Sequence, residues 1–215
     1  MLKGVVAIVA MLMLATPDGA AQLTARDIFA KMQTPALETL KRTTRLDMLD
    51  YWDADSIFKA TNSLGGLSNL EKVTPGYLKV KISPVSTFEI KILPAKKGEV
   101  VMTIYSVGGE SQAIDSQVSF YDAAGNQLPT EKYFSTPELK DFFDIPKGSL
   151  TKMKEVKEMI PFPTIEYSAN SETDNISARL TVGEFMNVDD YNIIKLFLKP
   201  EITLEWKGEK YKYKK

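Results

Sequence analysis

The stretch Leu78-Lys79-Val80-Lys81-Ile82-Ser83-Pro84-Val85-Ser86-Thr87-Phe88-Glu89-Ile90-Lys91-Ile92 decides the fold. Leu78, Val80 and Ile82 alternate with Lys79, Lys81 and Ser83. After Pro84-Val85-Ser86, Phe88, Ile90 and Ile92 alternate with Glu89 and Lys91. A period of two sends successive side chains to opposite faces. Each run is therefore a half-buried strand, and the break between them makes a hairpin. Lys97-Gly98 marks the next turn. Val100, Met102 and Ile104 set against Val101, Thr103 and Tyr105 predict a third strand, apolar on both faces and hence central. Gly108-Gly109 ends it. Val118 and Phe120 mark a fourth strand, closed by the turn Asp122-Ala123-Ala124-Gly125-Asn126. The succession is that of an antiparallel meander.

Upstream of the meander the period is helical. Thr24 is a candidate cap for a helix holding Ile28, Phe29 and Met32, with Asp27 in its favourable N-terminal field. Thr34-Pro35 reads as a cap and first position of a second helix carrying Leu37 and Leu40. Thr44 with Asp47 resembles a capping box, opening a third helix that continues through Leu46, Leu49, Tyr51, Trp52, Ile57 and Phe58 to about Ala60. Asn62-Ser63-Leu64-Gly65-Gly66 is its exit.

Downstream, Thr136-Pro137-Glu138 starts a helical segment with Leu139, Phe142 and Phe143. Ser149 starts another, with Met153, Val156 and Met159, and Pro161 and Pro163 end it. Strands resume at residues 164–169 and 176–182. Asp189 to Leu198 is an amphipathic helix stopped by Pro200. Ile202, Leu204 and Trp206 form a strand, and Gly208 turns the chain into a last one over Lys210–Lys215. The fold class is α+β: N-terminal helices, then a mainly antiparallel meander interrupted by short helices. Short connections favour one domain over residues 22–215, with a division into subdomains near 135–160 as the alternative.

Composition bounds the chemistry. The chain has 215 residues, 44% hydrophobic and 26% charged, with a formal net charge of −1. That balance supplies no long-range field for nucleic acid, which is not an expected partner. Cys and His both number 0, so thiol, disulfide and imidazole chemistry are excluded. Met1-Leu2-Lys3 followed by the apolar run Gly4 to Ala15, the breaker Thr16-Pro17-Asp18 and the small residues Gly19-Ala20-Ala21 match a secretory signal over residues 1–21. The apolar run is shorter than the roughly 20 residues that span a bilayer. The expectation is cleavage after Ala21 and a periplasmic or secreted protein held by core packing alone.

Arg45-Leu46-Asp47-Met48, Asp50-Tyr51, Asn62-Ser63-Leu64-Gly65-Gly66, Tyr77-Leu78 and Glu89-Ile90-Lys91 together resemble a family of exported Bacteroidetes proteins known only as a domain of unknown function. Phe120-Tyr121-Asp122 and Leu198-Lys199-Pro200-Glu201, before a strand ending in Trp206, extend the resemblance over nearly the whole mature chain. It implies a Gram-negative envelope location and no particular activity. Trp52 and Asp53-Ala54-Asp55 depart from the family pattern.

No stretch carries a catalytic signature. Asp47, Asp50 and Asp53 recur on one side of a helix, and Asp55 follows. A calcium loop counted from Asp53 would need Gly and Glu where Phe58 and Leu64 stand, so none is present. The plainer reading is local: Asp47 caps, Asp55 pairs with Lys59, and the rest face water. Ser149 with Lys152 gives S-x-x-K without its companion motifs. Gly65-Gly66 and Gly108-Gly109 lack the Gly-Lys ending of a phosphate loop and read as turns. Asn175-Ile176-Ser177 fits a eukaryotic glycosylation acceptor that a bacterial envelope would not use. The scattered methionines read as core filling. No cofactor and no metal site are implied.

One local bias remains, the tail Lys207, Lys210, Tyr211, Lys212, Tyr213. As a strand it places rings on one face and ammonium groups on the other. It is a candidate interaction surface for an envelope protein or an anionic polymer. The plainer reading is an edge strand guarded by lysines. Two functions follow. The first is a non-catalytic envelope module for binding or assembly. The second is a carboxylate-dependent hydrolase of envelope glycans or peptides, which would need two convergent acids and no histidine.

Overall fold

The computed structural model describes residues 23–56, 58–109, 112–146, 150–160 and 162–213. The expected signal segment, Ile57, Ser149, Pro161, Lys214 and Lys215 lie outside the described residues. The architecture is α+β. Helices α1 (Ala25–Lys31) and α2 (Arg42–Asp53) precede a meander of β1 (Ala60–Thr61), β2 (Leu67–Thr74), β3 (Tyr77–Ser83), β4 (Ser86–Ala95), β5 (Gly98–Gly109), β6 (Gln112–Tyr121) and β7 (Gln127–Leu128). Every neighbour in this seven-stranded sheet is antiparallel and adjacent in sequence. Helices α3 (Thr130–Tyr133) and α4 (Leu150–Met159) lead to β8 (Ile165–Ala169) and β9 (Ile176–Leu180). Helix α5 (Val188–Ile194) leads to β10 (Ile202–Trp206) and β11 (Tyr211–Tyr213). These four strands form a second antiparallel sheet in the order β11-β10-β9-β8.

The alternation of β3 and β4 sets the layering. Leu78, Val80, Ile82, Phe88, Ile90 and Ile92 join Ile28, Phe29, Leu37, Leu40, Met48 and Leu49 in one apolar cluster, so α1 and α2 cover that face. The opposite face presents Leu93, Met102, Ile104, Val118 and Phe120 to Tyr167, Ile176, Leu204 and Tyr211 of the second sheet in another cluster. Strand β5 feeds both, through Val101 on one side and Met102 on the other, as its two-sided apolarity predicts.

The first helix starts as expected: Thr24 Oγ1 accepts from the Asp27 amide at 3.1 Å. Three expectations fail nearby. Thr34-Pro35 opens only a 3₁₀ turn, Pro35–Leu37, and Thr34 caps nothing. Helix α2 begins at Arg42 after Lys41, so Thr44 and Asp47 lie inside it and form no capping box. It ends at Asp53 rather than near Ala60. The chain must reverse there to pair Ala60 and Thr61 with β2. The reversal is made by Asp55 at φ 52° and stacks Tyr51 on Phe58, ring centroids 4.3 Å apart. Strand β2 escapes the periodicity reading because only Ser68 along it is fully buried.

The glycine-rich exit is held by one side chain. Asn62 Nδ2 donates to the Ile82 carbonyl at 2.9 Å, and its Oδ1 accepts from the Leu64 and Gly66 amides. Asn62 is buried, so Asn62→Ala leaves the Leu64 and Gly66 amides without their acceptor, while the Ile82 carbonyl keeps the Ser68 hydroxyl. We expect a loss of about 1–3 kcal/mol in unfolding free energy by urea titration. A change within experimental error would show that water replaces the amide.

Candidate functional site

The polar residues of β3 and β4 do not face bulk solvent, which is what a half-buried strand suggests. They face the second sheet. Where that sheet stops short, an open cleft of about 780 Å³ remains. Lys79, Lys81, Thr87 and Ser106 lie along the first sheet's side of it, and Glu166, Arg179 and Glu184 along the other. Pro84 and Val85, from the hairpin turn, and Gly108 and Gly109 also line it. Gly108 is required there: it holds φ 131°, and an added Cβ would meet the Ala113 carbonyl oxygen at 2.4 Å.

The cleft's acids are paired, while Lys81 has no ion-pair partner among the described residues. Arg179 Nε donates to Glu166 Oε2 at 2.9 Å, and Nη1 to Glu184 Oε1 at 3.2 Å. Burial works against the Arg179 charge, but the two carboxylates outweigh it and hold its pKa above the ordinary value. Lys79 stands 3.7 Å from Glu71 and 3.6 Å from Glu89.

Glu89 pairs with Lys79, is buried, and does not itself line the cleft. Its Oε2 accepts from the Tyr77 hydroxyl at 3.1 Å and from the Ala169 amide at 2.9 Å. Burial pushes its carboxyl above the ordinary 4.5, against the pull of Lys79 and of the two donors. The Ala169 bond belongs to a pattern. The amides of Ile165, Tyr167 and Ala169, alternate residues along the edge of β8, donate to Asp115, Ser116 and Glu89 of the first sheet. Side chains on one sheet thus satisfy the edge of the other, where an open edge would otherwise invite pairing. Lys91, also buried, donates to the carbonyls of Asn170 and Ser171 in the β8–β9 turn. Period two marks Glu89 and Lys91 as outward from the first core, and nothing local signals that a distant strand covers them.

The tail residues occupy varied places. Tyr211 is core, its ring 5.1 Å from Trp206 and 6.5 Å from Phe120. Tyr213 is half-buried, and its hydroxyl accepts from Lys199 Nζ at 3.1 Å. Lys207 pairs with Glu205, and Lys210 donates to the Glu131 carbonyl at 2.9 Å. Lys212 is exposed on the outer face of the edge strand β11. The rings and Lys212 thus lie on opposite sides of the strand.

Asp47, Asp50 and Asp53 are exposed on α2 and do not converge on a cleft. Asp53 pairs with Arg26, whose guanidinium bonds hold that carboxyl below its ordinary value. Asp55 sits in the turn after α2 rather than on a helical face shared with Lys59. Among the described residues no acidic cluster could hold a metal ion, and no helix is long and apolar enough to cross a membrane.

Comparison with known proteins agrees with this architecture. No curated protein matches the chain. A solved structure, described as a domain of an uncharacterized protein from Porphyromonas gingivalis W83, superposes with a TM-score of 0.76 at 19% identity. The match covers 88% of this chain and 96% of that one. At that identity the likeness speaks for the fold. The model of the family described as protein of unknown function (DUF3256) matches residues 19–211, and with nearly its whole length matched, the chain belongs to that family.

Proposed function

We propose that this is an exported envelope protein that binds a polar segment of another envelope protein in the cleft between its sheets, without transforming it. The observation that carries the reading is the state of the cleft's charges. Glu166 and Glu184 are both spent on Arg179, and Glu71 lies against Lys79. Glycoside or peptide hydrolysis without histidine needs one acid held protonated and a second carboxylate facing it across the substrate. Glu89 does not line the cleft, and its oxygens face protein donors and Lys79. A cleft whose acids are all paired, with Lys81 left open beside apolar residues, is instead suited to recognition. Val85 lines it and is exposed, and exposed Val107 and Phe185 adjoin the lining residues Gly108 and Glu184 in the chain. The cationic start and apolar run of residues 1–15 support export.

The test is photocrosslinking in the native envelope from a reactive residue placed at Val85, with a control at Lys154, exposed on α4. One discrete adduct from position 85, absent from position 154, is expected. Its protein should begin near Gln22 by N-terminal sequencing. Equal adducts from both positions would remove the cleft from the proposal, and Met1 retained on the envelope form would remove export through a cleaved signal.

A further inference from the structure

A second cleft, of about 480 Å³, lies on the other side of the molecule, between the end of α1, the turn Pro35–Leu37 and the start of α2. Arg45 lines it and is only 5% exposed. Its Nη1 donates to the carbonyls of Phe29 and Met32, which close the C-terminal end of α1. Two of its five N–H groups are thereby used, and the guanidinium lies over the Phe29 ring, 5.7 Å from its centroid. Nε is sealed from solvent without an acceptor, and among the described residues no carboxylate pairs with Arg45. Burial disfavours its charge, and Arg42 adds to the penalty. A buried cation without a counter-charge is costly unless something supplies one.

The surroundings add to the excess. Lys41 and Arg42 line the same cleft, and only Glu38, exposed, brings a negative charge to its lining. These cations sit at the start of the 12-residue α2, where the helix dipole is positive and acidic residues are favoured. No acidic residue occupies the first turn, and no side chain caps it. The first amides of the helix therefore lack both an intrahelical acceptor and a capping oxygen. The buried guanidinium, the flanking cations and the acid-free helix start all favour an anion in the cleft.

We propose that this cleft binds a phosphate group, with Arg45 at its base and Lys41, Arg42 and the start of α2 around it. A phosphate offers several strong acceptor oxygens and more charge than a carboxylate, which suits three cations lining one cleft at the start of a helix. The site is separate from the inter-sheet cleft and does not depend on its function.

The probe is inorganic phosphate, titrated against chloride at constant ionic strength. The readouts are the Arg45 Nε–H resonance in a proton–nitrogen correlation spectrum and the thermal midpoint. Saturation below about 10 mM is expected, with a shift of that resonance. Arg45→Gln risks the end of α1, so the decisive variant is Lys41→Gln with Arg42→Gln, which leaves the buried contacts in place. It should weaken binding at least about tenfold, the loss of one charged hydrogen bond or more. Sedimentation with phosphatidylcholine vesicles, with and without phosphatidic acid, tells a lipid-borne phosphate from a free one. Selective capture by phosphatidic acid supports the site as a headgroup site, and phosphate saturation without it supports a soluble ligand. No saturable response to either probe, or a response unchanged in the double variant, overturns the proposal.

Discussion

Phe120→Ala is expected to lower the unfolding free energy by roughly 3–5 kcal/mol, measured as a fall in the urea midpoint at unchanged slope. Phe120 is fully buried at the centre of the inter-sheet core. Its ring stacks on Tyr133 with centroids 5.1 Å apart and meets Tyr211 at 6.5 Å. Truncation removes contacts from both sheets at once and leaves a void that the aromatic neighbours, Tyr133 held by α3 and Tyr211 by β11, fill only in part. Trp206 lies 5.1 Å from Tyr211 in ring centroid and gives a local signal, so its fluorescence should change in the folded variant as well. Phe162, 77% exposed, is the control: Phe162→Ala should stay within about 0.5 kcal/mol of the parent. Equal effects at the two positions would mean that the second sheet does not pack on the first as described.

The second large effect is at Glu89. Glu89→Ala leaves the Ala169 amide and the Tyr77 hydroxyl without their acceptor. Each buried orphan costs about 1–3 kcal/mol. Glu89→Gln keeps an acceptor oxygen but cannot ionise, and it separates hydrogen bonding from charge. In the unfolded chain Glu89 titrates near its ordinary 4.5, and in the folded chain burial raises it. Between the two values the folded protein holds a proton that the unfolded chain has released. Stability from this group is therefore complete below 4.5 and is lost as pH rises through the folded value. The parent should weaken relative to Glu89→Gln as pH is raised from 4.5 toward neutrality, in unfolding curves taken in pairs. Parallel curves across that range would show that Lys79 compensates the burial.

Much of this fold was legible because one core face is enough to write a period. Strands β3 and β4 bury Leu78, Val80, Ile82, Phe88, Ile90 and Ile92 against the helices, and the alternation is unbroken. The breaks at Pro84, Gly98 and Asp122 fall where the strands end. Where burial is weak the signal fades. Strand β2 writes no clear period because only Ser68 along it is fully buried, and the helical pattern overruns α2 because Phe58 and Ala60 are apolar for the sake of a reversal and a strand pair.

The candidate sites were less legible for a different reason. Glu89 and Lys91 have the same spacing as solvated strand residues, and it is β8 and the turn after it, about 80 positions further along the chain, that cover them. Arg179 meets Glu166 across a strand pair and Glu184 after a turn, a juxtaposition with no local pattern. The tail tyrosines and lysines alternate as a strand must, but whether the ring face meets core or ligand depends on what Phe120 and Trp206 bring opposite it. Local alternation and turn chemistry, which act over a few residues, settled β3 to β6 and their meander, and the absence of Cys and His settled the excluded chemistries. Which polar groups are buried, paired or left open was settled by the docking of two sheets and two helices, because burial and charge pairing are properties of surfaces brought together from distant parts of the chain.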